Sequence, residues 1–432
     1  MISVPKQLWK IEKKEDIFKM EIIRFLTAGS VDDGKSTLIG RLLYDSNALA
    51  SDLKSILEQN KNEDGSINLA LLTDGLKAER EQGITIDVAY KYFTTKNRKY
   101  IIADAPGHVQ YTRNMVTAAS NSDVAIILID ARKGITEQTK RHAYIAFFMG
   151  IRYVVLAINK MDLVGFSEEI YHKIMNDFRS LNLDFEVVEY IPISAINGDN
   201  VVFKSENMPW YKGQTLFEFL ETIEIQRDLN LDDFRFPIQY VIRPNTDEYH
   251  DFRGYAGRIL CGEVKKGSEV LVLPSMMKTK VKEIYKYPEY LEEAKNGASV
   301  TILLEDQIDI SRGDMIVGNR LPYVSKEIEA QICWMSQEPL KPNTKLFLRH
   351  TTKEVKAIVK SILSKVDIEN YTEQPTQQLE LNDIGKIQLK LSEEIFYDPY
   401  TMSRYTGSFI LIDNENRTVA GGVIIQMLDY NI

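Results

Sequence analysis

The chain has 432 residues, enough for roughly two to four domains, and its 44% hydrophobic and 27% charged residues are the balance of an ordinary globular protein. A net charge of −9 argues against non-specific binding to nucleic acid. No run of about 18 apolar residues and no apolar leader in the charged residues 1–20 marks a membrane span or secretory signal, and Cys261 and Cys333 have neither metal nor disulfide spacing. A reduced, cytoplasmic chain without membrane or nucleic-acid partners is expected.

Residues 1–20 read as an N-terminal extension. The apolar run Ile22-Ile23-Arg24-Phe25-Leu26 then predicts a strand, and Ser36 to Leu43 predicts a helix. Between them lies Gly29-Ser30-Val31-Asp32-Asp33-Gly34-Lys35-Ser36-Thr37, which is Gly, four residues, Gly-Lys-Ser. Strand, glycine-containing loop and helix are the context in which this pattern cradles phosphates. Backbone N–H groups of such a loop converge on anionic oxygens, aided by the helix N-terminus. Lys35 places a charge at the β- and γ-phosphates, and the Ser36 hydroxyl is a ligand for Mg²⁺.

Next in order, the strand-like Tyr100-Ile101-Ile102-Ala103 ends in Asp104-Ala105-Pro106-Gly107-His108. A carboxylate there can hold Mg²⁺ through its water shell, and the N–H of Gly107 can sense a γ-phosphate. Asp123–Asp130 predicts a further strand and Thr136–Gly150 a helix. Tyr153–Asn159 is a buried strand by composition and runs into Asn159-Lys160-Met161-Asp162. A carboxylate at 162 accepts from both N1–H and the 2-amino group of guanine, a donor pair adenine lacks. The Lys160 stem lies along the base. A strand over Glu186–Ser194 delivers Ser194-Ala195, whose backbone N–H can meet the guanine oxygen, and Thr215–Glu224 predicts a last helix. Each motif alone is compatible with a turn or cap; four in this order, each at a strand's C-terminal end, specify a GTP site.

Alternating strands and helices from 21 to 228 predict an α/β P-loop GTPase domain, a mostly parallel sheet with helices on both faces. After Asp233 short β-branched runs punctuated by glycine take over, as in Gly257 to Val272, and predict two small all-β barrels over 229–323 and 324–432. Pro322 to Glu329 reads as the connector.

A G domain followed by two barrels resembles the translation elongation-factor class of GTPases. Within it the chain is most similar to the family of large, GTP-hydrolysing subunits of the two-subunit sulfate adenylyltransferase. The residues behind the likeness are the phosphate loop, Asp74 to Tyr90 with its core Arg80-Glu81-Gln82-Gly83-Ile84-Thr85-Ile86, and Tyr111-Thr112-Arg113-Asn114-Met115. Ile129 to Gly134, Met208-Pro209-Trp210-Tyr211 and Thr406 to Asp413 extend it, so that it spans about residues 22 to 426. Translation factors usually carry His and Thr where this chain has Asp33 and Ser36.

The resemblance implies that Thr85 closes over the nucleotide as a ligand of Mg²⁺, and that His108 positions the attacking water. Val31 and Ile84 are an apolar gate for that histidine or ordinary packing. The chain departs from the family at Ala105, usually Thr, and Val109, usually Glu, neither of them a phosphate or Mg²⁺ ligand. The family further implies GTP hydrolysis coupled to adenylylsulfate synthesis from ATP and sulfate by a separate small catalytic subunit, joined in a heterodimer for sulfate assimilation. With a single phosphate loop, no fused adenylylsulfate kinase is expected. The alternatives are an elongation factor delivering aminoacyl-tRNA and a regulatory switch without metabolic coupling.

Overall fold

A computed structural model describes residues 21–46, 69, 87–108, 111–225, 233–243 and 253–427. The chain divides into two compact units, Met1–Ile225 and Gln226–Ile432.

The described part of the first unit comprises β1 (Glu21–Ala28), α1 (Lys35–Asp45), β2 (Ala89–Thr94), β3 (Arg98–Asp104), α2 (Thr112–Ser120), β4 (Val124–Asp130), α3 (Glu137–Phe148), β5 (Tyr153–Asn159), α4 (Glu168–Arg179), β6 (Val187–Pro192) and α5 (Leu216–Thr222). Its sheet runs in the order β2-β3-β1-β4-β5-β6. All neighbours are parallel except β2, which is antiparallel to β3. Every residue of β4 and β5 is buried, as a strand covered on both faces requires, and this is why both read as unbroken apolar runs. Parallel register stacks the strands' C-terminal ends at one edge. Thr27 lies opposite Asp104, Asp130 opposite Asn159, and Ile158 opposite Pro192. Local sequence sets the helix starts. Thr136 and Thr139 form a reciprocal cap on α3, Ser167 caps α4, and Thr215 with Glu218 caps α5.

In the second unit the strands are β7 (Arg235–Ile242), β8 (Gly254–Arg258), β9 (Glu263–Lys265), β10 (Glu269–Leu273), β11 (Met277–Lys286), β12 (Glu289–Leu291), β13 (Glu293–Lys295), β14 (Ser299–Leu304) and β15 (Met315–Val317), then β16 (Tyr323–Trp334), β17 (Lys345–His350), β18 (Lys353–Val366), β19 (Glu373–Gln374), β20 (Ile384–Tyr397), β21 (Ser408–Ile412) and β22 (Thr418–Met427). The ring β10-β15-β7-β8-β14-β11 closes through β10–β11, and the ring β17-β21-β22-β16-β20-β18 closes through β17–β18. Closure leaves no unpaired edge within either ring. Each barrel fills its interior with its own apolar cluster, around Phe236 and Ile302 in the first and Ile332 and Leu389 in the second.

One expectation is corrected. Residues 323–329 are not a connector but the first half of β16, paired antiparallel with β20. The polar residues Ser325, Lys326 and Glu327 imitate a linker because they lie where the ladder breaks register between Ser325 and Glu327.

The two barrels share a buried ion pair. Arg235 of β7 is 0% exposed; it donates to Asp398 Oδ2 from Nε at 3.1 Å and to Oδ1 from Nη2 at 3.0 Å. Its Nη1 reaches the carbonyls of Phe234 and Arg320, and the Thr406 hydroxyl donates to Asp398 Oδ2 at 2.8 Å. Removing one member of such a pair strands a charge in a dry interior. Asp398→Ala is therefore expected to lower the unfolding free energy of this unit by about 3–5 kcal/mol, read from the urea midpoint of the full chain. Joint replacement with Arg235→Met should recover most of the loss, and a midpoint unmoved in Asp398→Ala would contradict this account.

Candidate functional site

All four motifs emerge at the C-terminal edge of the first unit's sheet, where parallel α/β sheets bind ligands. The loop 29–34 leaves β1 and turns into α1 at Gly34, whose φ of +93° favours glycine. A Cβ there would also sit 2.5 Å from Asn159 Nδ2, so the position is closed to other residues on two counts. No side chain caps α1, which leaves its first N–H groups facing the loop. Asp32, in a left-handed conformation at φ 67°, is exposed, Val31, Ser36 and Thr37 are half-buried, and Asp33 and Lys35 are buried.

The Lys35 ammonium donates to the carbonyls of Gly29 at 2.9 Å and Ser30 at 3.0 Å. Burial pushes its pKa down, opposed by the carboxylates of Asp104, Asp33 and Asp32. Asp33 turns its carboxylate back onto the Ser30 N–H at 2.6 Å. Burial pushes that carboxyl up, against this hydrogen bond and the charge of Lys35. Asp104, 2% exposed at the end of β3, accepts from the Thr27 hydroxyl at 2.9 Å.

After Asp104 the chain carries Ala105, Pro106 and Gly107 in buried positions and brings His108 to the surface. Gly107 lies so close to the phosphate loop that a Cβ would come within 2.6 Å of Lys35 Nζ and 2.7 Å of the Gly29 carbonyl. The His108 ring stands edge-on to Tyr111, with centroids 6.4 Å apart. Thr85, Ile84 and Val109 lie outside the described residues.

The other half of the site is a network. Asn159 donates from Nδ2 to the Asp33 carbonyl at 2.8 Å and accepts the Ala195 N–H on Oδ1 at 3.0 Å, so one amide ties the phosphate loop to the loop after β6. The Ser194 hydroxyl donates to Asp162 Oδ1 at 2.7 Å, which orients a half-buried carboxylate, and Met161 packs in the core beneath it. Lys160, at φ 63°, reaches across to the Asp32 carbonyl and to Asp130 Oδ2 at 3.1 Å.

Two contributors escaped the sequence reading. Asp130, at the end of β4, holds both Lys160 and Arg132; burial alone raises its carboxyl, but hydrogen bonds from Arg132 and Lys160 outweigh it and keep it below the usual carboxylate range. Its signal was present, since Asp130 ends a strand beside Asn159. The second is Arg41 of α1, which donates to the Ala195 carbonyl. His142 is buried and neutral, its pKa pushed down to about 3 by desolvation, with the Lys35 charge adding to the effect.

Ser36 and Asp104 offer hard oxygen donors of the kind Mg²⁺ takes. Among the described residues no group of three or more His, Cys, Asp or Glu could hold a metal alone, so the donors fit an ion held largely by nucleotide and water. No helix among the described residues is long and apolar enough to cross a membrane.

Comparison with known proteins places this geometry. The elongation factor Tu GTP binding domain matches residues 20–228, and the GTP-eEF1A C-terminal domain-like family matches residues 327–425. Sulfate adenylyltransferase subunit 1 of Alteromonas mediterranea is 50% identical over 416 residues, covering 94% of this chain and 88% of that one. The protein of the same name from Bacteroides fragilis is 49% identical, with 95% and 87% covered. The bifunctional enzyme CysN/CysC of Rhodopirellula baltica is 51% identical, and this chain spans 64% of its length.

Proposed function

Since the chain belongs to the sulfate adenylyltransferase subunit 1 family of elongation-factor-type GTP-binding proteins, we propose that it is the GTP-hydrolysing subunit that drives adenylylsulfate synthesis on a separate small catalytic subunit. The observation that supports this most directly is the Asn159 bridge, which joins a phosphate-binding loop to a guanine-reading loop in one rigid element.

Within that reading the loop N–H groups and the start of α1 bind the phosphates, and Lys35 leaves its carbonyl partners to meet them. Asp162, set by Ser194, reads N1–H and the 2-amino group of guanine. Ser36 and Asp104, with Thr85, would hold Mg²⁺, which would neutralise charge on the phosphates. Gly107 senses the γ-phosphate from its place against the loop, and His108 orients the attacking water. Joining ATP and sulfate into adenylylsulfate and pyrophosphate is strongly uphill, because a sulfate–phosphate anhydride forms. Loss of the γ-phosphate relaxes the switch segments and delivers the driving force to the small subunit.

Unassisted G domains hydrolyse GTP on the order of 10⁻⁴ s⁻¹, and a docked partner raises this by about 10³ to 10⁵. The isolated chain is expected at the slow end, and addition of the small subunit with ATP and sulfate should give the stimulation. The deciding assay recovers the co-purifying subunit and measures GTP-dependent adenylylsulfate from ATP and sulfate. Fast hydrolysis without any partner, or tight binding of aminoacyl-tRNA in place of that subunit, would overturn the proposal.

A further inference from the structure

The guanine-reading loop is held from a direction its motifs do not reveal. Arg41 lies in the second turn of α1, the helix that begins at Lys35. Its Nε donates to the Ala195 carbonyl at 3.2 Å, and its Nη2 donates to the Ile196 carbonyl. Asp45, one turn further along α1, pairs with Nη1 at 3.5 Å, and both side chains are mostly covered, at 15% and 11% exposed. Gly198 closes the arrangement from outside. It is at φ +91°, and a Cβ there would stand 3.2 Å from Asp45 Oδ2 and 3.5 Å from Arg41 Cδ, so the 194–199 turn lies directly over the pair.

These contacts complete a ring. From the phosphate loop, α1 carries Arg41 to Ala195; Ala195 gives its N–H to Asn159; Asn159 returns to the loop at the Asp33 carbonyl. Arg41 bonds neither Asp162 nor Ser194, yet it holds the Ala195–Ile196 and Ile196–Asn197 peptide groups just beyond Ser194, and Ser194 orients Asp162. We propose that Arg41 is a positioning residue for guanine selectivity, using its planar fork to lock the base-reading loop to the phosphate-binding helix. The inference rests on the GTP reading above. A guanidinium suits this task because it delivers fixed, parallel donors to successive carbonyls, whereas an ammonium is a single point charge.

The test measures equilibrium binding of GDP and of IDP, which lacks only the 2-amino group, to the full chain and to Arg41→Met and Arg41→Lys. Wild-type binding of GDP tests the GTP reading by itself. If it holds, Arg41→Met should weaken GDP about tenfold, the scale of one charge-assisted hydrogen bond, and should lose affinity for IDP by less, so that the preference for GDP narrows at least threefold (about 0.6 kcal/mol). Arg41→Lys should recover thermal stability but only part of the preference. A merely structural role predicts equal losses for both nucleotides. An unchanged GDP-to-IDP ratio in either folded variant would overturn the inference, and if Arg41→Met does not fold, the ratio in Arg41→Lys decides it.

Discussion

Asp162→Asn should convert a guanine site into a xanthine site, with the preference for GTP over xanthosine triphosphate reversing by about 10⁴-fold in total. The expectation follows from two hydrogen bonds that do not share an oxygen. The Ser194 hydroxyl occupies Asp162 Oδ1, which on the proposed reading leaves the second carboxylate oxygen for the base. Guanine presents donors there. An asparagine keeps its carbonyl on the serine and turns an amide N–H₂ outward, facing guanine's donors with another donor. Xanthine carries a carbonyl in place of the 2-amino group and supplies the missing acceptor. Mismatched polar groups in a partly dry site lose both the bond and the solvation they gave up, which is why the effect is so large. A competition assay with the two triphosphates measures it. Unaltered selectivity for guanine would remove Asp162 from base reading while leaving the phosphate loop intact.

That the gathering of these motifs at one edge is legible in the sequence has a physical reason. In a parallel sheet, each strand ends at the same edge, so residues one step past an apolar run are neighbours in space whatever their separation in sequence. Gly29 to Thr37, Asp104 to Gly107, Asn159 to Asp162 and Ser194-Ala195 all follow such runs, and β1, β3, β5 and β6 gather them. What stayed hidden depends on side-chain reach. Arg41 lies 154 residues before the carbonyl it holds, in a helix whose pattern reads only as amphipathic. Asn159 looks like part of a base-reading motif, and its clamp on Asp33 spans 126 residues.

The barrels were legible as β texture with glycine turns, because alternating burial along β11 or β18 leaves its mark in the sequence. The opening strand of the second, read as a connector, was not. No residue of β16 before Ile328 is buried, so its opening lacks the buried apolar positions that mark a strand, and its bulge interrupts the alternation. Nor could the sequence flag Arg235 as the largest fully buried side chain among the described residues, since charged residues are seldom fully buried unless paired and its partner Asp398 lies 163 residues away.

The second large effect concerns hydrolysis rather than recognition. His108→Ala is expected to leave the affinity for GDP and GTP within about twofold of wild type and to reduce partner-stimulated hydrolysis by about 10² to 10⁴, the range contributed by a positioned acid–base group. The separation of the two effects rests on where the chain puts this residue. Its neighbour Gly107 is pressed against Lys35 and the Gly29 carbonyl, which pins the backbone at the phosphate end of the site. The imidazole itself projects to the surface against Tyr111 and contributes to neither the loop network nor the base pocket. Binding therefore has little to lose. On the proposed mechanism hydrolysis would need the ring to turn inward from that backbone to reach the attacking water, so its loss should be felt in turnover alone. Single-turnover hydrolysis with the small subunit present, run beside nucleotide titrations, distinguishes the outcomes. Parallel loss of binding and hydrolysis would make His108 a structural element of the loop. Stimulated turnover at the wild-type rate would assign the water to another group.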